Sequence, residues 1–228
     1  MRKWLLAFIT VLVLNAGLPT FAQSNTEAWQ VADRILDNLG GREPWASARS
    51  LYVREKAFPA GIEGPLVAEF WRDLETPVYR SLIVGPSIRR ETRWSKNSGW
   101  VNRDGVRTEM SADAIRSEIS GWRQEPYVMY HKLALHDSSL HLVMANNNRL
   151  EIFDGEGGAL LCWFVVDASG APLRWGNVFD GEINEHVYGP LRNFGPIRMP
   201  AWGTSTTGSW RFEYQDVVPM AKPLDLRP

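Results

Sequence analysis

From residue 50 to residue 217 the chain is cut into short pieces by clusters of Gly, Pro, Asp and Asn, and this spacing constrains the fold more than any other feature. The pieces read as strands: 65–73 (PLVAEFWRD), 77–84, 87–95, 98–102, 139–145, 149–154, 159–166, 172–178, 184–190, 197–204 and 209–217. A first strand opens at Ser50, where Leu51 and Val53 alternate with Tyr52 and Arg54. Parallel neighbours need connections of a dozen residues or more, usually helical, and apart from the stretch 103–138 the gaps hold no such length. The segments therefore pair in sequence as an antiparallel meander, which places the chain in the α+β class, mainly β.

Two stretches break the strand pattern. Ser24 and Glu27 have the spacing of a capping box, and Ala28, Trp29, Ala32, Ile35, Leu36 and Leu39 then recur along one helical face. Gly40 and Gly41 stop this helix, and Pro44 opens a short turn. The second stretch is 111–135, where Ser111 caps a helix carrying Ile115, Ile119 and Trp122, and Pro126 opens another with Tyr127, Tyr130 and Leu133. Gly121 is the expected break between them. An amphipathic insertion in mid-sheet is well placed to cover one face of that sheet.

The N-terminus reads as a targeting segment. Arg2 and Lys3 precede an uncharged apolar run to Leu18, and small residues end at Ala22, the pattern of a cleaved secretory signal. Residues 1–22 are then removed, and 23–228 remain with the length of one domain. No second long apolar run follows, so no transmembrane segment is expected after cleavage. Residue 23 is Gln, which leaves no cysteine for a lipid anchor at the cut, and the expected compartment is a bacterial periplasm.

The formal charge is −1, and loss of Arg2 and Lys3 makes the remainder two units more acidic, against a nucleic-acid partner. Cys162 is the only cysteine and lies in the apolar run ALLCWFVV, so a disulfide framework is excluded and an inert buried thiol is expected. His131, His136 and His141 are spaced by five, and His186 stands apart, which does not match zinc-ligand spacing. Neither a metal nor a cofactor is expected, and no nucleophile elbow, HExxH or phosphate loop is present. IFDGE at 152–156 returns as VFDGE at 178–182, with NRDG at 102–105 as a variant; Asp-Gly between strands is the chemistry of a type I′ hairpin.

The order of parts resembles the lipoprotein-carrier superfamily of the bacterial envelope, the LolA and LolB type. The resemblance is carried by a helix ending in LGG, a strand rising from SLYV, the GWVNRDG hairpin, the MSADAI helix and the VVDASGAPLRW hairpin. YGPLRNFGPIRMPAWGT and the closing VVPMAKPLDLRP complete it. It implies an incomplete antiparallel half-barrel, strongly curved, whose concave apolar face is closed by a helical lid. It also implies a non-enzymatic carrier of lipoprotein acyl chains or another apolar ligand. An envelope sensor or protein-interaction module of the same fold, and a small hydrolase-like enzyme, are the alternatives.

Ten tryptophans remain after the signal segment. Trp71, Trp94, Trp100, Trp163 and Trp175 fall in candidate strands and Trp122 on a helical face, and these six are the candidate wall of an apolar cavity. The same rings would serve equally to pack a core. Arg80, Arg89, Arg90, Arg93, Arg103 and Arg107 cluster in consecutive strands, either as a rim for an anionic or acidic envelope partner or as the wet face of the sheet paired with Glu91 and Glu109.

Overall fold

A computed structural model describes residues 21–145 and 148–226, with side chains from Thr26 onward. The predicted signal segment, residues 1–20 of it, lies outside the described residues. The first helices are α1 (Phe21–Asn38) and α2 (Arg42–Ser47), followed by β1 (Ser50–Pro59), β2 (Leu66–Asp73), β3 (Tyr79–Gly85), β4 (Ile88–Trp94), β5 (Gly99–Arg103) and β6 (Val106–Glu109). Then come α3 (Ala112–Gln124), α4 (Pro126–Ala134), β7 (Leu140–Ala145), β8 (Arg149–Asp154), β9 (Leu160–Val166), β10 (Pro172–Phe179) and β11 (Glu182–Tyr188). The chain closes with β12 (Leu191–Phe194), β13 (Ile197–Pro200), β14 (Trp202–Ser205) and β15 (Trp210–Met220).

Thirteen strands make one antiparallel sheet in the order β6-β5-β4-β3-β2-β1-β15-β14-β11-β10-β9-β8-β7. The long pairing of β1 with β15 joins the first strand to the last. The sheet stays open: β6 and β7 are its two edges, and the α3–α4 insertion connects them. This is the open antiparallel sheet with covering helices that the strand spacing and the resemblance implied.

Most elements begin and end where their residues require. Gly41 N–H donates to the Leu36 carbonyl at 2.8 Å and Gly40 N–H to Asp37 at 3.4 Å, the paired bonds of a Schellman motif, with Gly40 at φ 104°. A side chain at Gly40 would also meet the Ile197 backbone. Ser111 Oγ accepts from Ala114 N–H at 3.1 Å and starts α3, and Pro126 takes the first turn of α4. The predicted helix start at Ser24 and Glu27 is not found there, since α1 runs from Phe21 through both positions. Gly121 is likewise not the break: α3 continues through it, with Phe179 packed where a side chain would stand, and the helices divide at Glu125 and Pro126.

Two hairpins have the expected type I′ geometry, with positive φ at Asp104 and Gly105 and at Asp180 and Gly181. The third Asp-Gly differs: Asp154 ends β8 in extended backbone, and a longer loop with positive φ at Gly155 and Gly157 reaches β9. The predicted strand 197–204 divides at Ala201, leaving β13 with β12 and β14 between β11 and β15.

The core lies between the sheet and the helices. Ala28, Val31, Ala32, Ile35, Leu36 and Leu39 of α1 are buried, and α1 packs on β7, β8 and α4. Helix α4 is buried on every side except Lys132, as expected of a helix inside a curved sheet rather than on its surface. Tyr130 stacks on Phe164 at 5.2 Å and packs edge-on against Trp45, and Leu142, Leu150 and Ile152 complete a sealed region. His131 is tied to the Trp45 carbonyl at 2.9 Å.

Candidate functional site

Strict alternation along each strand decides which residues face the helices. On β1 the inward series is Leu51, Val53, Glu55 and Ala57, all buried, and on β2 it is Leu66, Ala68, Phe70 and Arg72. A bulge on β15 opposite Arg54 and Glu55 skips Gln215, so that Phe212 and Tyr214 on one side and Val217 on the other all point inward. Opposing pairs extend the same face to Tyr79 and Trp94, to Trp175 and His186, and to Asn177 and Asn184.

Beneath α3 and the start of α4 this face leaves two adjoining compartments. One, of about 270 Å³, is bordered by Glu55, Phe70, Arg72, Tyr127, His186 and Phe212 among others. Its neighbour, of about 210 Å³, is bordered by Tyr79, Trp94, Glu118, Trp122, Asn177 and Phe179. Trp175, Asn184 and Glu125 belong to both walls. Each alone is below the ~300–1,000 Å³ of small-molecule pockets, and together they enter that range.

The six candidate tryptophans separate by face. Trp94, Trp122 and Trp175 border the inner compartments. Trp71 and Trp163 lie on the opposite face: Arg80 stacks over Trp71 at 4.6 Å and Arg149 over Trp163 at 4.1 Å, and the Trp163 ring fills the space over Gly176. Trp163 is only 3% exposed although it faces outward, since Arg149, Glu185 and Gly176 enclose it. Trp100 is also outward, between Arg93 and Arg107, and with Trp94 and Leu224 it borders an open trough of about 660 Å³ beside the C-terminal tail. That trough is larger, but the buried ionisable groups converge in the smaller compartments.

Those groups escaped the sequence reading. Arg72 Nε donates to Glu125 Oε2 at 2.6 Å, and its guanidinium lies over Phe70 at 4.6 Å, Tyr127 at 5.1 Å and Tyr79 at 5.3 Å. Burial opposes the Arg72 charge, but Glu125 and the two phenols outweigh it and raise its pKa. Burial pushes Glu125 up against the pull of Arg72. Glu55 is 6% exposed and, among the described residues, accepts no hydrogen bond. Burial pushes its carboxyl up to about 7, with Arg72 pulling the other way. His186 stacks on Trp175 at 5.6 Å, its Nδ1 is buried without a partner, and burial lowers its pKa. Tyr127 and Tyr214 share a hydroxyl hydrogen bond, and burial raises both.

The sequence carried one usable signal for these residues. Glu55 and Arg72 occupy inward positions in otherwise apolar alternations, where a charge is costly unless something compensates it. Of the arginine cluster, Arg80 and Arg93 share Glu91, and Arg107 pairs with Glu109, the wet-face arrangement. Cys162 is buried, and burial pushes its thiol up, away from nucleophilic character. Among the described residues no three His, Cys, Asp or Glu side chains are grouped to hold a metal ion.

The helices are latched over the cavity at several points. Trp122 Nε1 donates to the Asp73 carbonyl at 2.8 Å, Arg123 pairs with Asp154 at 2.6 Å, and Arg72 holds Glu125 at the cap of α4. Asp73 also receives the Leu224 N–H at 2.9 Å, which ties the C-terminal tail to the same corner. Among the described residues no helix is long and apolar enough to cross a membrane.

The fold and site define an open antiparallel half-barrel with helices on its concave face and a polar-lined aromatic cavity between them. No protein-family model matches the chain, and no curated protein matches it. Two solved structures align with it over most of their length. One is described as an outer membrane lipoprotein-sorting protein domain from Vibrio parahaemolyticus, with 9% identity over 89% of this chain and 95% of that chain and a TM-score of 0.45. The other is a DUF1329 family protein from Desulfovibrio piger, with 8% identity over 86% of this chain and 93% of that chain and a TM-score of 0.47.

Proposed function

We propose that residues 23–228 act as one domain, released to the periplasm by removal of the signal segment, and bind or carry an amphiphilic ligand. Lipoprotein acyl chains or another lipid are the candidate cargo, and no catalysis is involved. The observation that carries this reading is the pair of adjoining compartments walled by Trp94, Trp122 and Trp175 between the sheet and its helices. An alkyl chain in the 210 Å³ compartment exchanges water for aromatic wall. Each buried methylene contributes about 0.8 kcal/mol, enough to retain a chain without covalent chemistry. Loading and release require the α3–α4 latches to open, and an envelope partner with a better site takes the cargo by differential affinity.

The test is native mass spectrometry of the protein purified from its own cell envelope, with organic extraction, followed by titration with a dodecyl probe. Co-purifying lipid, and a probe affinity reduced by Trp94→Ala and Trp175→Ala but not by Trp71→Ala or Trp163→Ala, is the expected result. A clean apo mass with no probe uptake overturns it and moves the role to a sensor or interaction module.

A second reading, hydrolysis in the same pocket, is favoured by one observation: Glu55 and His186 line a single compartment. It predicts turnover of a p-nitrophenyl ester that Glu55→Gln abolishes. The binding reading predicts none.

A further inference from the structure

Glu55 is the compartment's unanswered charge. It stands on β1 facing the cavity, and each charged or titratable group around it has a fixed disposition. Arg72 on β2 is paired through Nε with Glu125 at the cap of α4, which neutralises its charge, while its buried Nη1 has no hydrogen-bond partner. Tyr127 on α4 and Tyr214 on β15 are hydrogen-bonded to each other, and burial keeps them as neutral phenols. On β11, Tyr188 is kept neutral in the same way and His186 is held toward its uncharged form. An ionised Glu55 would therefore leave one negative charge in the compartment with no cation of its own.

The rest of the wall is suited to a cation. Phe70, Trp175, Trp210 and Phe212 border the same space, and aromatic faces attract positive charge through their negative quadrupole. The molecule already uses this: the Arg72 guanidinium sits over Phe70 and Tyr127 of that wall and over Tyr79 of the adjoining compartment. An anionic head would meet Glu55 directly. A lone metal ion would find a single carboxylate, with no grouped ligands among the described residues.

Resting on the binding role above, we infer that the site selects cationic amphiphiles: the 270 Å³ compartment takes an amine or ammonium head against Glu55 and the rings, and the alkyl chain runs past Trp175 toward Trp94. Because the free carboxyl titrates at about 7, capture of a cation near neutral pH expels a proton from Glu55. Affinity therefore rises with pH through that region.

Isothermal titration calorimetry of the mature chain with dodecyltrimethylammonium, dodecanol and dodecyl sulfate tests this. At about pH 8.5 the ammonium is expected to bind about tenfold or more tighter than dodecanol. Titrations at about pH 7 in buffers of different ionisation enthalpy should show proton release. The preference should collapse at about pH 5.5 and in Glu55→Gln, and it should keep its pH dependence in His186→Gln. A lysolipid with an ethanolamine head separates the sources: its binding points to membrane lipid, and binding of the simple ammonium alone points to a free alkylamine. Equal affinity for ammonium and alcohol, or a preference that survives Glu55→Gln, overturns the inference while the binding role stands. If no dodecyl probe binds at any pH, the binding role fails with it. Should Glu55→Gln not fold, the pH dependence and proton release of the unaltered chain decide.

Discussion

The two regions under the sheet are built on opposite principles. Beneath β7, β8 and β9 the interior is closed: Leu142, Leu150, Ile152 and Phe164 are fully buried, and Tyr130 of α4 stacks on Phe164. Beneath β1, β2, β15 and β11 the same curved face keeps open space and admits Glu55, Arg72 and His186. The helices explain the difference. Helix α1 lies on β7 and β8 and α4 sets Tyr130 against Phe164, whereas α3 spans the other region and meets the sheet from its C-terminal half, Gly121 on Phe179, Trp122 on Asp73 and Arg123 on Asp154. One sheet thus divides a sealed core from an open cavity with ionisable walls, and the division is testable.

The largest effect belongs to the closed region. Phe164→Ala removes a ring stacked on Tyr130 and opposite Trp175 and leaves a cavity that α4 cannot fill, at a cost of about 3–5 kcal/mol in chemical denaturation. Arg72→Met is next. It leaves Glu125 without its cation and should cost about 3 kcal/mol, the lower end for a broken buried pair, because the Glu125 side chain is 25% exposed. Arg72→Met combined with Glu125→Gln should recover most of that loss. If the double variant is no better than the single one, Arg72 acts mainly as packing among its three rings rather than as half of an ion pair.

How much of this division was legible in the sequence depended on the range of the signal. The strands were visible because alternation and turn residues are local, and most boundaries lie within two residues of the spacing. Strand β6 was not visible: VRTE is an edge strand exposed at every position and carries no apolar alternation. Strand β12 was hidden because Arg192 and Asn193 interrupt it. The tryptophans were recognised as a set but not by face, since facing depends on register. Trp94 opposite Tyr79 and Trp163 opposite Gly176 are on different sides only once the pairings are known. The ionisable cluster needed even longer range, for Glu55, Arg72, Glu125 and His186 come from four places in the chain, brought together by strand order and by the packing of α3 and α4 over the sheet.

An effect with a defined sign, confined to one pH window, comes from Glu55. Its carboxyl titrates at about 7 in the folded protein against an ordinary value of 4.5, so the folded state binds that proton more tightly than the unfolded chain does. Stability from this group is complete below about pH 4.5, is lost as pH rises to about 7, and is level above. Denaturant midpoints across this window should fall with pH in the native sequence, and Glu55→Gln should flatten that fall. A slope unchanged by the substitution would assign the pH dependence to another group. The same titration should leave the closed region untouched, since Phe164→Ala changes the midpoint at every pH and not the slope.

The smallest effect sharpens the comparison from outside the cavity. Arg80 resembles Arg72 in kind: it pairs with a glutamate, Glu91, at 3.1 Å and lies over a ring, Trp71, at 4.6 Å. It differs in its surroundings. Its side chain is 33% exposed, and Glu91 keeps a second partner in Arg93 at 3.0 Å if Arg80 is removed. Arg80→Ala should therefore cost less than about 1 kcal/mol, diminish further in high salt, and leave probe affinity unchanged. Two arginines, one strand apart and making the same types of contact, would then differ about threefold in their worth because one faces a cavity and the other faces water. A cost for Arg80→Ala approaching that for Arg72→Met would mean that the outer row of Arg80, Trp71, Glu91 and Arg93 acts as one cooperative unit, and the contrast between the two faces would have to be redrawn around it.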